Sequence, residues 1–177
     1  MNGHRERIVY MECGWIWDLL PIIISFAAFF LSAYQFYVER SRNRQEATIH
    51  AFDKLEESKA VMFLFEVTKQ EIDGLVQWRT APSYSGTENA NKNEKWEMLS
   101  KALPLIEHFA VGINKKAYDL GTLNSMAGNM IISTYAACEE LIKLKRRGWG
   151  KGQNYAEFET MVEDLIAYRK KQGQSTP

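Results

Sequence analysis

Residues 19–38 hold no charged side chain, while Asp18 and Glu39 bound the run on either side. A helix rising about 1.5 Å per residue carries such a stretch through roughly 30 Å, the thickness of a bilayer's hydrocarbon core. Pro21 falls in the first turn, where its missing N–H costs least. Trp15 and Trp17 flank one end, and Tyr34, Phe36 and Tyr37 the other, the distribution of an interfacial aromatic belt. A soluble core helix of this length would carry charge somewhere. A cleaved signal peptide has a shorter apolar core, of roughly 7–15 residues, and ends in a small-x-small cleavage pair. Here the leading segment contains Glu6, Glu12 and Asp18, and no such pair follows cleanly. The run therefore reads as one transmembrane helix.

Charge asymmetry orients it. Arg40, Arg42 and Arg44 follow the span directly, whereas Arg5 and Arg7 lie far ahead of it. The positive-inside rule then predicts a single-pass protein of the inner (cytoplasmic) membrane, with a short N-terminal tail (residues 1–18) outside and the rest in the cytoplasm. Met11 is an alternative start that would leave an acidic tail and sharpen the asymmetry.

Beyond the span the fold class is all-α: a cytoplasmic bundle of about four helices over residues 39–172, with a disordered tail at 173–177. Residues 39–79 contain no Pro and a single Gly, Gly74. Phe52, Leu55, Met62, Phe63, Val67, Leu75 and Trp78 recur there at helical spacing, with a break expected near Glu57 and Ser58 and Ser58 as N-cap. Turn residues dominate about 80–93, which predicts a mobile loop. A helix over about 94–116 places Trp96, Leu99, Leu103, Ile106, Ala110 and Ile113 on one stripe, and Pro104 predicts a kink or interruption within it. Asp119 is a candidate N-cap for a long helix over about 120–147, with Gly128 a possible breaking point and the glycines around Trp149 ending it. A last helix over about 155–171 presents Phe158, Met161, Val162, Leu165 and Tyr168. No segment alternates with the period of a strand.

The functional signals are sparse. Lys plus Arg number 22 and Asp plus Glu 22, so the net charge is zero and no nucleic-acid partner is expected. Cys13 and Cys138 lie on opposite sides of the span, which argues against a disulfide between them, and with His4, His50 and His108 they give no zinc spacing. No cofactor motif is present. The glycines near Trp149 follow a helix, unlike a phosphate loop, which precedes one. Glu107 and His108 are adjacent, so on a helix they point about 100° apart and form no acid–base pair unaided. Both read as structural, with Glu107 expected to pair with an arginine such as Arg146.

The string Leu105, Ile106, Glu107, His108, Phe109, Ala110, Val111, Gly112, Ile113 and Asn114 carries a family likeness. So do Tyr118 with Asp119, then Gly128, Tyr135, and Tyr155 with Phe158 and Glu159. Together they resemble a family of small bacterial and phage-borne proteins known only as a domain of unknown function, with an N-terminal membrane helix and a basic stretch after it. Pro104 departs from the polar residue the resemblance implies at that position. The resemblance transfers no catalytic residue.

Two surfaces remain as candidates. Ser25, Ala28, Ser32 and Gln35 share one face of the span, and Ala28 with Ser32 is a small-xxx-small pair, so self-association is expected there. Lys143, Lys145, Arg146, Arg147 and Lys151 form a basic cluster that either solvates a helix end or contacts anionic headgroups. The expected partners are the lipid bilayer, a second copy through the span, and a protein partner the residues do not name. The expected function is a membrane-anchored interaction or sensor module without catalytic activity, tied by the family's setting to phage–host conflict. The alternative is an effector whose oligomerised span damages the bilayer; an unrecognised enzyme is the third reading.

Overall fold

The computed structural model describes residues 14–81, 89–148 and 154–175, and within them every regular element is a helix. α1 runs Gly14–Glu56, α2 Lys59–Glu66, α3 Lys69–Thr80, α4 Ala90–Asn114, α5 Leu120–Gly148 and α6 Ala156–Lys171. The expected all-α architecture, one long apolar N-terminal helix followed by a helical domain, is what the chain adopts. Two compact units divide between Asn43 and Arg44.

The first unit contains the apolar stretch of α1. This helix has 43 residues, roughly 65 Å at the usual rise, with Pro21 accommodated inside it. Every side chain from Leu19 to Arg40 is exposed. Residues 1–13, with Met11 and Cys13, lie outside the described residues, as do the side chains of Trp15 and Trp17.

The second unit begins with the end of α1, which enters the core through Thr48, Phe52 and Leu55. α2 packs on α4, α3 on α5, α4 on α6, and α5 on α6, with a smaller contact between α2 and α5. Phe52 lies in the middle of this packing, stacked on Phe65 at 6.3 Å and edge-on to Phe109 at 6.0 Å.

The break at Ser58 occurs as expected, with Ser58 extended at the N-cap of α2. It resets the helical phase. Val61 and Leu64 turn inward, and Met62, expected on the apolar face, is 38% exposed. A second break at Val67 was not anticipated. Its cause is a capping box: the Thr68 hydroxyl accepts from the Glu71 N–H, and the Glu71 carboxylate accepts from the Thr68 N–H.

α4 starts at Ala90, earlier than expected, and continues through Pro104 without interruption. Of the expected stripe, Leu99, Leu103, Ile106, Ala110 and Ile113 are buried and Trp96 is half-buried; Ala102 and Phe109 join them in the core. α5 likewise runs unbroken through Gly128. Residues 82–88 of the expected loop and 149–152 of the glycine segment lie outside the described residues.

Candidate functional site

Two regions stand out, one in each unit. In the first, the large side chains Ile23, Phe26, Phe29, Phe30, Tyr34 and Phe36 are all more than half exposed, Phe36 at 68%. This is a rod of apolar surface that the chain itself does not cover, in a helix long and apolar enough to cross a membrane. Ser25, Ala28, Ser32 and Gln35 are exposed along it. The Ser25 hydroxyl donates to the Pro21 carbonyl at 2.8 Å, so its polar group is satisfied within the helix. Arg40 and Arg42 are exposed. Arg44, half-buried, begins the second unit, and its carbonyl accepts from the Thr48 hydroxyl at 2.6 Å. Thr48 is 0% exposed and in turn accepts from the Asp119 N–H at 2.6 Å, tying the end of α1 to the start of α5.

The second region is the junction where α6 begins. Glu107 of α4 accepts from two backbone N–H groups there, Glu157 at 3.2 Å and Phe158 at 2.8 Å. A carboxylate on the first-turn N–H groups satisfies donors the helix cannot, and it meets the positive end of the helix dipole. The expected partner of Glu107, Arg146, goes elsewhere. It donates to the Glu159 carboxylate at 2.7 Å and the Asn154 carbonyl at 2.9 Å. Two residues further along α4 than Gly112, Asn114 clamps Glu157 through its carbonyl at 2.9 Å and its carboxylate at 2.7 Å. Tyr155 holds the N-cap in the left-handed region at φ 65°. Burial pushes its phenol pKa up, with the Glu107 carboxylate a second cause.

Tyr135 closes the junction from α5, edge-on to Phe158 at 5.2 Å. Burial first, then the neighbouring Glu159 carboxylate, pushes its phenol up to about 12. Burial alone does the same to the Cys138 thiol, also to about 12. At the other end of α5, Asp119 accepts from the Thr122 N–H at 2.8 Å, the N-cap the sequence suggested. Gly112 is explained by Tyr118: a Cβ at 112 would run into that ring, which is itself stacked on Phe109 at 5.4 Å. Most residues that carried the family likeness thus converge on the packing of α4, α5 and α6. His108, next to Glu107, is exposed and takes no part.

The basic cluster is dispersed. Lys143 pairs with Glu139 at 2.8 Å and Glu140 at 3.0 Å. Arg146 is engaged with Glu159. Lys145 lies over the Trp96 ring at 5.1 Å and donates to the Ser100 hydroxyl at 3.0 Å. Arg79 approaches the same ring at 5.7 Å. Burial, with the Arg79 charge a second cause, lowers the pKa of Lys145. Arg147 is exposed, and Lys151 lies outside the described residues. Among the described residues, no three His, Cys, Asp or Glu side chains gather as a metal site would require. An open groove of about 480 Å³ between the α2–α3 corner and α5 is lined by Phe65, Val67, Met130, Ile132, Thr134 and Ala137, among others.

Residues 22–165 match the model of a family described as a domain of unknown function, DUF4760. That match takes in the apolar stretch from Ile22 as well as most of the helical unit. No curated protein and no solved structure matches the chain.

Proposed function

We propose that the chain, which belongs to the DUF4760 family, is a single-pass protein of the inner membrane whose helical unit lies in the cytoplasm and works as an interaction or sensor module without catalytic activity. The observation that carries this reading is the uncovered apolar rod of α1, over which every side chain from Leu19 to Val38 is exposed. A contiguous apolar surface of that size is too large for a solvated monomer, and a bilayer covers it without any partner. The arginines at 40, 42 and 44 support the proposed orientation through the positive-inside rule. The helical unit has a packed core and open grooves, and at the α6 junction its acidic groups are spent on backbone N–H groups, on Asn114 and on Arg146.

Alkaline extraction and paired C-terminal fusions test this. The protein should stay with the membrane pellet, a fluorescent-protein fusion should be bright and an alkaline phosphatase fusion inactive. An active phosphatase with a dark fluorescent fusion would reverse the topology, and release by alkali would remove the span itself. A second reading, bilayer damage by oligomers of α1, draws on the exposed face of Ser25, Ala28, Ser32 and Gln35. Depolarisation of cells on overexpression would favour it over the module.

A further inference from the structure

Arg169, in the last turn of α6, is a buried cation with no carboxylate paired to it among the described residues. It is 8% exposed. Its Nε at 3.2 Å and Nη2 at 2.7 Å both donate to one acceptor, the carbonyl oxygen of Ser175. Among the described residues no ion pair includes it; the pairs are made by Lys95, Lys101, Lys143 and Arg146. A buried charge is costly unless it is paired. The Nε–Nη2 edge is the one that receives a carboxylate through two parallel hydrogen bonds. A single peptide oxygen spans both donors and brings only a partial negative charge.

The surroundings hold residues 173–175 against this edge. Gly173 takes φ +67° and turns the backbone, so that the Gln174 N–H reaches the Arg169 carbonyl at 3.0 Å. Asn124 of α5 donates to the Gln174 side chain at 3.1 Å, while its own Oδ1 is buried with no hydrogen-bond partner. Gly128 opens the space between them: a Cβ there would lie 2.6 Å from Asn124 Oδ1 and 3.2 Å from Arg169 Nη1. The glycine that looked like a helix breaker instead makes room for a guanidinium.

We propose that Arg169 is a carboxylate-binding site and that Gln174 and Ser175 occupy it as a displaceable plug. The ligand class is the free C-terminal carboxylate of a peptide. The site already accepts a peptide backbone, and a terminal carboxylate supplies two oxygens where Ser175 supplies one. One guanidinium balances one negative charge. A dianion such as phosphate would bring an excess.

The test uses the chain in detergent micelles, intact and lacking residues 174–177 with Gly173 left as its C-terminal amide so that no new carboxylate faces the site, and follows the Arg169 Nε–Hε resonance, identified by its loss in Arg169→Lys. Acetate is titrated against chloride at equal ionic strength, followed by N-acetyl-Gln-Ser and its C-terminal amide. Removing the plug should lower the acetate midpoint by roughly tenfold, the factor expected if the open site is about one-tenth populated in the intact chain. The dipeptide acid should bind more tightly than acetate, and its amide should not bind. Equal midpoints with and without residues 174–177, or a response to chloride matching that to acetate, overturns the proposal. Acetate binding without any gain for the dipeptide acid overturns the peptide assignment. If the shortened chain fails to fold, Gln174→Ala in the intact chain decides: its acetate midpoint should fall, and an unchanged one is the overturning result.

Discussion

At position 107 a carboxylate sits where two backbone N–H groups converge, and that placement accounts for Glu107 without any chemistry. Glu107→Ala should lower stability by about 1–2 kcal/mol, the range for a lost helix cap that also carries charge. Glu107→Gln, which keeps an acceptor, should cost less. His108→Gln, on the exposed side, should stay within about 0.5 kcal/mol of the parent. Thermal unfolding checks all three, and a His108→Gln protein less stable than Glu107→Ala would sink this account of the junction. Tyr135 gives a pH signature. Its pKa in the fold is raised from 10.0 to about 12, so folding favours the neutral phenol. The associated stability is fully present below about pH 10 and is lost as pH rises through about 12. Difference absorbance between the parent and Tyr135→Phe should show this one tyrosine ionising late; titration with the ordinary tyrosines would contradict its burial beside Glu159.

Among the elements, α2 and α3 are short helices separated by one corner, and Thr68 defines it. Thr68→Ala removes the capping box and should cost about 1 kcal/mol. Because α2 packs on α4 and α3 on α5, the loss should appear as earlier amide exchange in α3 as well as a lower melting temperature. Exchange unchanged in α3 would mean that packing alone sets the corner. For α1 the expectation is self-association through the small-residue face. A transmembrane association reporter carrying residues 15–40 should lose signal with Ala28→Leu and Ser32→Leu and keep it with Phe29→Leu. Equal signals from all three would end that idea. Sequence periodicity located α4, α5 and α6 well because each buries a stripe sustained over many turns. It missed the break at Val67, although Thr68 and Glu71 at the spacing of a capping box were there to be read. Short helices offer too few turns for a stripe to outweigh a single apolar run.

For the whole molecule, the buried residues among those described all lie in the second unit, beginning at Thr48. A chain starting at Arg44 should therefore be helical, cooperative in unfolding and free of the membrane fraction, since the hydrophobic stabilisation is retained and the uncovered rod is gone. Circular dichroism with a flotation assay checks this. A fragment that is unfolded, or that still floats with lipid, would show that the division between the units is not an independent folding boundary.

Some of this architecture follows from local order along the chain. The uncharged run, the helical periods, the Asp119 cap and the charge asymmetry involve residues close in sequence, so the sequence by itself determined the helical class, the long apolar helix and the approximate positions of the later helices. The partnerships did not follow. Glu107 meets the start of α6 from about fifty residues away, Arg146 takes Glu159 instead, Gly112 yields to Tyr118, and Gly128 yields to Arg169. Apart from the local turn that brings Tyr118 back over Gly112, each of these depends on which helix faces which. A carboxylate has the same sequence appearance whether it caps a helix or pairs with an arginine, and a mid-helix glycine looks alike whether it breaks the helix or admits a neighbour. Only the tertiary packing chose between them, because the choice is made by distances between side chains that the chain order leaves free.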